Sequence, residues 1–128
     1  MKVTLNPDVR IRKDENYEML QAINTEIAER IKAEYVGECK AIRDETDALV
    51  QTDKKFREDA KMTLRTVKIG DTIQVSTQVG RGSTTIRHYV GKVMKINLDV
   101  GYFNMSVPDY LDGKEFTIGL SCLQSIET

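Results

Sequence analysis

The sequence is poor in the residues on which most enzyme and metal sites depend. Its 128 residues include one histidine, two cysteines, two prolines and no tryptophan. The single histidine, His88, has no nucleophile or carboxylate next to it in the sequence, and the patterns GxxxxGK[ST], GxGxxG, HExxH and GxSxG do not occur. We therefore expect a protein that is not an enzyme and that holds no metal ion and no cofactor.

Long apolar runs are also missing. No stretch of about 18 residues is apolar enough to cross a membrane, and the first residues, MKVTLNPD, lack the apolar core of an export signal. Cys39 and Cys122 lie far apart and form no CxxC pattern, which predicts reduced thiols in the core. A cytoplasmic location is the resulting expectation.

The first half of the chain has the pattern of helix. Residues 14–62 contain no proline and one glycine, and two series of side chains recur there at steps of three or four. The second series has heptad spacing. Gly37 and the polar stretch 51–53 are possible breaks, so a single long helix and a helical hairpin both fit. The series are Leu20, Ile23, Ile27, Ile31 and Tyr35, then Cys39, Ile42, Thr46, Leu49, Asp53, Phe56 and Ala60.

After residue 65 the period changes to two, which indicates β-strands. Gly91 predicts a bend in a long strand, and the pair Asp112-Gly113 predicts a tight turn. The segments GDTIQV, YVGKVMKI, FNMSV and LSCLQSIE resemble the strands of SH3-like, Tudor-like and Sm-like barrels. Nine apolar residues in the inward phase form the predicted core: Ile73, Val75, Val90, Val93, Ile96, Phe103, Met105, Phe116 and Ile118.

These patterns predict an α+β fold in three parts. Residues 1–13 form an N-terminal strand or arm, residues 14–64 form a long helix or helical hairpin, and residues 65–128 form a small barrel of five or six strands. A helix with one apolar stripe must bury that stripe against something. The heptad series therefore predicts self-association through the helices, or assembly with a partner, which sedimentation at several protein concentrations would detect.

Charge is unevenly distributed along a chain of net charge −1 and isoelectric point about 5.9. Residues 14–62 hold thirteen acidic side chains against eight basic ones, whereas residues 65–95 hold six basic side chains against one acidic one. Such asymmetry orients an encounter with a charged partner. The sequence thus offers two binding surfaces of opposite sign.

The first hypothesis is a protein-binding regulator or inhibitor, of the kind that phages and mobile elements encode against host defences. An acidic helical face would meet a basic surface on a partner protein and exclude the normal ligand of that surface. The partner-binding residues on this hypothesis are Glu26, Glu29, Asp44, Glu45 and Asp47.

The alternative is a barrel that binds RNA or DNA and is dimerised by its helices. The segment VGRGSTTIRH contains two glycines and two arginines suited to phosphate contacts, and nearby tyrosines offer stacking faces. The low isoelectric point argues against this alternative. Its binding residues are Arg81, Arg87, Tyr89, Lys92 and Lys95.

Overall fold

The structure, a computed structural model, describes residues 2–27, 36–78 and 85–128, and the side chains of these residues except 24–27 and 36–38. Within them the chain forms two helices and six strands, so the α+β class is confirmed. The elements are β1 (Lys2–Thr4), α1 (Asp8–Ile27), α2 (Val36–Arg65), β2 (Thr72–Gln78), β3 (Ile86–Asn97), β4 (Tyr102–Ser106), β5 (Phe116–Gly119) and β6 (Leu123–Glu127).

Helix α1 begins earlier than the sequence pattern predicted. The backbone N–H of Asp8 donates to Oδ1 of Asn6 at 3.0 Å, and the N–H of Val9 donates to the carbonyl of Asn6 at 3.1 Å. Asn6 thus caps the helix, and Pro7 follows it at a position where a missing N–H costs nothing. Residues 8–13, predicted to belong to an N-terminal arm, are therefore helical.

The two helices pack together as an antiparallel helical hairpin. Residues 12 and 16 of α1 contact residue 45 of α2, whereas residues 10 and 13 contact residue 53. Later residues of α1 thus meet earlier residues of α2, so the two helices run in opposite directions. The helix does not break at residues 51–53, which the sequence offered as one possible break, because α2 runs without interruption from Val36 to Arg65. Five of the seven members of the heptad series are buried inside the chain: Cys39, Thr46, Asp53, Phe56 and Ala60. Self-association is therefore not needed to cover it and stays a prediction.

The six strands form one antiparallel sheet in the order β1-β6-β2-β3-β4-β5. Strand β6, the last in sequence, lies between the first strand and β2. The hydrogen-bonded ladder leaves β1 and β5 at its two ends, so the structure shows an open sheet. Closure into a barrel is not shown.

Strand β3 is shared between two parts of the sheet. Its first half pairs with β2, from Ile86 to Lys92, and its second half pairs with β4, from Lys92 to Asn97. At the changeover a Cβ on Gly91 would collide with the carbonyl oxygen of Ser106. Glycine is thus required where the two strands approach each other closely. The register irregularity lies slightly further along, between Val93 and Lys95.

The core joins the base of the helical hairpin to one face of the sheet. Its helical members are Val9, Phe56, Ala60 and Leu64, and its strand members include six of the predicted core residues. Those six are buried as predicted: Ile73, Val75, Val93, Phe103, Met105 and Ile118.

Three predicted core residues differ from that set. Ile96 and Phe116 are only half-buried, although both pack against the core. Val90 is 52% exposed and the prediction for it is wrong. Val90 pairs with Gln74, whereas Tyr89 pairs with the buried Val75 and Gly91 with the buried Ile73. The inward positions in this part of β3 are therefore 89, 91 and 93, and Val90 lies between two of them.

Replacement of Phe103 by alanine tests the core. The ring is fully buried, and we expect Phe103→Ala to lower the free energy of unfolding by about 3–5 kcal/mol, from lost burial and the cavity left behind. Urea unfolding followed by circular dichroism measures it. Val90→Ala is the control, with an expected change of about 0.5 kcal/mol or less. A similar loss from both variants would contradict the burial described here.

Candidate functional site: the helical hairpin and the open end of the sheet

A buried ion cluster fixes the helical hairpin on the sheet. The side chain of Asp53 on α2 is 4% exposed and accepts hydrogen bonds from Arg10, Lys13 and Arg57. The Arg10 guanidinium donates to it through Nε at 3.2 Å and Nη2 at 3.0 Å. Asp53 is one of the two polar residues in the heptad series, with Thr46, and both are buried within the continuous helix α2.

Arg10 also connects both helices to the sheet. Its Nη1 donates to the carbonyl of Leu123 at 2.9 Å, and its Nη2 donates to the carbonyl of Leu120 at 3.0 Å. The guanidinium carbon lies 5.9 Å from the centre of the Phe56 ring. The Arg10 side chain therefore connects α1, on which it lies, to α2 and to the start of β6. These contacts fix the direction in which the hairpin leaves the sheet.

The protonation of Asp53 follows from this cluster. Burial by itself would raise the pKa of Asp53, but the hydrogen bonds and charge of Arg10, together with Lys13 and Arg57, outweigh it and hold the pKa below its ordinary value. A carboxylate with a depressed pKa contributes stability above its unfolded pKa and loses that contribution as the pH falls through the folded pKa.

The segment between β1 and α1 is fixed to the sheet by two glutamines. The side-chain amide of the buried Gln124 donates to the carbonyl of Leu5, and its Oε1 accepts a hydrogen bond from Ser76 at 2.7 Å. Gln78 Nε2 donates to the carbonyl of Pro7 at 3.0 Å. The start of α1 is thereby held against β2 and β6.

The hairpin is polarised in charge along its length. Its distal half, residues 14–27 and 36–47, carries eight acidic side chains against two basic ones. Its proximal half, residues 8–13 and 48–65, carries eight basic side chains against four acidic ones. Because the helices are antiparallel, both acidic segments lie at the same end. The helical members of the core all lie in the proximal half, so the distal half extends beyond the core.

The predicted acidic residues fall into three groups. Asp44 and Asp47 are exposed on α2, and among the described residues neither side chain has a hydrogen bond or an ion pair. Glu45 is exposed but held within the chain, since it accepts from Arg12 Nε at 2.6 Å and Asn16 Nδ2 at 3.2 Å. Glu26 lies in α1, without a described side chain, and Glu29 lies outside the described residues.

The contact of Glu45 with α1 also changes its titration. Its hydrogen bond from Arg12, followed by that from Asn16, lowers the pKa of Glu45 below its ordinary value. Glu45 therefore stays ionised and helps to set the spacing of the helices. Because its carboxylate is bound to α1, Glu45 holds the two helices together and is less available to a partner than Asp44 and Asp47 are.

The predicted nucleic-acid residues are divided between the two sides of the sheet. Arg87 and Tyr89 share the side of β3 that carries the inward residues, whereas Lys92 lies on the opposite side, paired with Thr72. Lys95 pairs with Asn104, and its Nζ lies 5.7 Å from the centre of the Tyr102 ring. Arg87, Lys92 and Lys95 are exposed, and Arg81 lies outside the described residues.

Tyr89 belongs to a cluster of three aromatic rings that the sequence patterns did not reveal. Its ring centre lies 5.1 Å from that of Tyr110 and 5.2 Å from that of Phe116, and the last two are 4.9 Å apart. Aromatic groups packed in this way give a rigid apolar surface. Tyr110 and Phe116 lie twenty or more residues beyond Tyr89, so only the sheet topology brings them together.

The aromatic cluster lines a surface groove of about 300 Å³ at the open end of the sheet. The groove is lined on one side by the end of β2 and on the other by all four residues of β5. Cys122 also lines it. Cys122 is exposed, which corrects the prediction that both thiols lie in the core; Cys39 is buried as expected. Cys122 is exposed because it lies in the turn before β6, outside the buried phase of that strand.

Neither of the two described helices is long and apolar enough to cross a membrane. The described part of the chain also contains no group of three or more histidine, cysteine, aspartate or glutamate side chains placed to hold a metal ion. The acidic distal hairpin and the aromatic groove are thus the two surface features that the geometry singles out.

Replacement of Asp53 by asparagine tests the ion cluster. Asp53→Asn leaves three cations facing a neutral amide, and we expect a loss of about 3–5 kcal/mol in the free energy of unfolding at pH 7. The difference from the wild type should shrink as the pH falls from the ordinary carboxyl value of 3.8 through the lower pKa of folded Asp53, because the stability contributed by the carboxylate is lost over that range. Urea titrations between pH 7 and pH 2 measure both. The exposed Asp47→Asn is the control, and an identical pH dependence for all three proteins would contradict the role of Asp53.

Comparison of this chain with known protein families, with curated proteins and with solved structures finds no match.

Proposed function

We propose that the protein is a non-enzymatic regulator or inhibitor that docks on a partner protein through the acidic distal half of its helical hairpin, as a phage or mobile-element protein directed against host defence would. The observation that carries the proposal is the charge separation along the hairpin, with eight acidic against two basic side chains in the described segments 14–27 and 36–47, which extend beyond the core. The partner surface is then basic, and a nucleic-acid channel is one such surface.

Two features of the hairpin support this function. The Arg10–Asp53 cluster fixes the orientation of the helices, so a partner meets a preorganised surface and little conformational entropy is lost on binding. Half-buried apolar side chains of both helices, among them Leu20, Ile23 and Ile42, lie in the same half as the acidic residues. Apolar contact area surrounded by charge is the composition of a specific interface.

The same charge separation argues against pairing of two copies through their distal halves. Like charges placed against each other across an interface cost binding energy. Two distal halves would bring together sixteen acidic side chains and four basic ones. A basic partner of a different kind satisfies the surface better than a second copy does.

The alternative function, binding of RNA or DNA by the sheet, has weaker support. Its basic residues lie on both sides of the sheet, and Tyr89 packs against two other rings, so they do not form one continuous basic surface with free stacking faces. Nuclease-sensitive binding would favour this alternative.

In the proposed function, the sheet supports the helical hairpin by packing against its proximal half. A small SH3-like, Tudor-like or Sm-like barrel, partly open because the outer edge of β5 is unpaired, is the finer form that we propose for β2 to β6. The shared strand β3 supports it, because a strand that pairs with β2 over one half and β4 over the other lets a sheet turn back on itself.

Charge reversal on the distal hairpin tests the proposed function. The triple variant Glu18→Lys, Asp44→Lys and Asp47→Lys changes three exposed side chains outside the core. We expect the partner captured from cell lysate by the wild type, after nuclease treatment, to be lost. With the purified partner, the association rate should fall about tenfold or more at low salt, because electrostatic steering is removed.

A matched variant controls for net charge. Glu58→Lys, Asp99→Lys and Glu127→Lys make the same change in total charge at exposed positions outside the distal half. This variant should capture the partner as the wild type does. Equal loss of binding in the two triple variants would contradict docking through the distal hairpin.

A further inference from the structure

The outer edge of β5 has backbone groups that no strand uses. The N–H of Leu120 donates to the carbonyl of Gly101 at 2.9 Å, in register with the pairing of Gly119 and Tyr102. Hydrogen-bonded pairs alternate along an antiparallel ladder, so the N–H and C=O of Thr117 point away from β4. The N–H of Gly119 points the same way. Among the described residues these groups have no partner, although the Gly119 carbonyl accepts from Cys122 at 3.0 Å.

The other edge of the sheet is different. Strand β1 has three residues, and α2 packs beside it, so its edge is partly covered. Unpaired strand edges are usually protected by such covering or by charge, because they accept additional strands. Of the two strands at the ends of the described sheet, β5 is therefore the one that is open to pairing.

The aromatic groove follows this same edge. Its walls include Phe116, Thr117, Ile118 and Gly119 on one side and Thr77 on the other. A strand added along β5 would place alternate side chains on the inward side, above the cluster of rings, and the others towards solvent. The edge provides hydrogen bonds for a backbone, and the groove provides an apolar contact for side chains.

The loop beside the groove is acidic, which favours an occupant that carries a basic side chain. The loop that carries Tyr110 holds Asp109, Asp112 and Glu115 against Lys114, and all four are exposed. This loop is held in place, since Ser106 Oγ donates to the carbonyl of Gly113 at 2.6 Å. An occupant with apolar residues at alternate positions and a basic residue near the loop fits this pattern.

From these observations we infer that the edge of β5 is a second binding site, which takes an extended peptide segment of a partner protein by adding it as a seventh strand. The backbone of the segment pairs with Thr117 and Gly119, its apolar residues contact the ring cluster, and a basic residue at one end meets the acidic loop. This is recognition by β-strand addition, in which backbone hydrogen bonds supply affinity and alternate side chains supply specificity.

A defined probe tests the site. The probe is the blocked hexapeptide Arg-Val-Thr-Val-Thr-Val, fluorescently labelled and titrated with the full chain by anisotropy. The variant Thr117→Pro removes the outward N–H and leaves the β4 ladder intact, because the N–H of residue 117 takes no part in it. We expect about tenfold weaker binding by Thr117→Pro than by the wild type. Thr117→Val, which keeps the N–H, should bind as the wild type does.

A second measurement keeps the test decisive if Thr117→Pro does not fold. Two forms of the same peptide, one N-methylated on its even-numbered and one on its odd-numbered residues, retain the side chains and charge but each lacks one set of backbone donors. The form whose missing donors face β5 should bind about tenfold more weakly to the wild type. Exchange of its Arg for Glu should also weaken binding, because the acidic loop then repels it. Equal binding of the parent and both N-methylated forms would overturn strand addition.

The distal charge-reversal variant separates this site from the proposed function. Glu18→Lys, Asp44→Lys and Asp47→Lys lie on the hairpin, and that triple variant should bind the hexapeptide with unchanged affinity. Loss of hexapeptide binding in it would show that the probe docks on the hairpin, and would overturn the assignment to β5. A failure of either proposal is thereby distinguishable from a failure of the other.

Discussion

The burial of one carboxylate determines how the parts of this protein fit together. Asp53 lies in the middle of α2, where an uncompensated charge would be costly, and three cations from two helices surround it. Arg10 makes the decisive contacts, because it also reaches two carbonyls at the turn before β6. The relative position of both helices and the sheet thus depends on satisfying a single buried charge.

That arrangement divides the surface between elements with different physical character. The helical hairpin carries its apolar core contacts at one end and a surplus of acidic groups at the other, so its free end is suited to electrostatic recognition. The far edge of the sheet offers unpaired backbone and aromatic rings, which suit recognition by shape and hydrogen bonding. Two proposed sites on separate elements would let the chain hold two partners at once.

Periodicity was sufficient to predict the helical first half, the strands after residue 65 and six buried core residues. It missed the start of α1, although Asn6-Pro7 is a local capping signal. It placed Val90 inside, because alternation fixes which residues share a side of a strand but not which side is buried.

The candidate surfaces were harder to predict. The acidic character of the hairpin is visible in composition, but its concentration at one end requires the antiparallel packing of α1 on α2. The aromatic groove depends on contacts between residues distant in sequence, which no local pattern encodes. Glu45 looked free in the sequence and is bound to Arg12, since the partner lies on the other helix.

The place of β6 in the sheet has a consequence for synthesis of the chain. Residues 123–127 pair with both β1 and β2, and they are synthesised more than 40 residues after the end of β2. Until then, β1 has no strand partner and β2 lacks one of its two partners. The carbonyls that Arg10 requires also belong to this late region. On the ribosome the helices can form early, but Asp53 and its cations acquire their final surroundings only when β6 emerges. Native packing is therefore acquired late and over long sequence separations, a topology that slows folding.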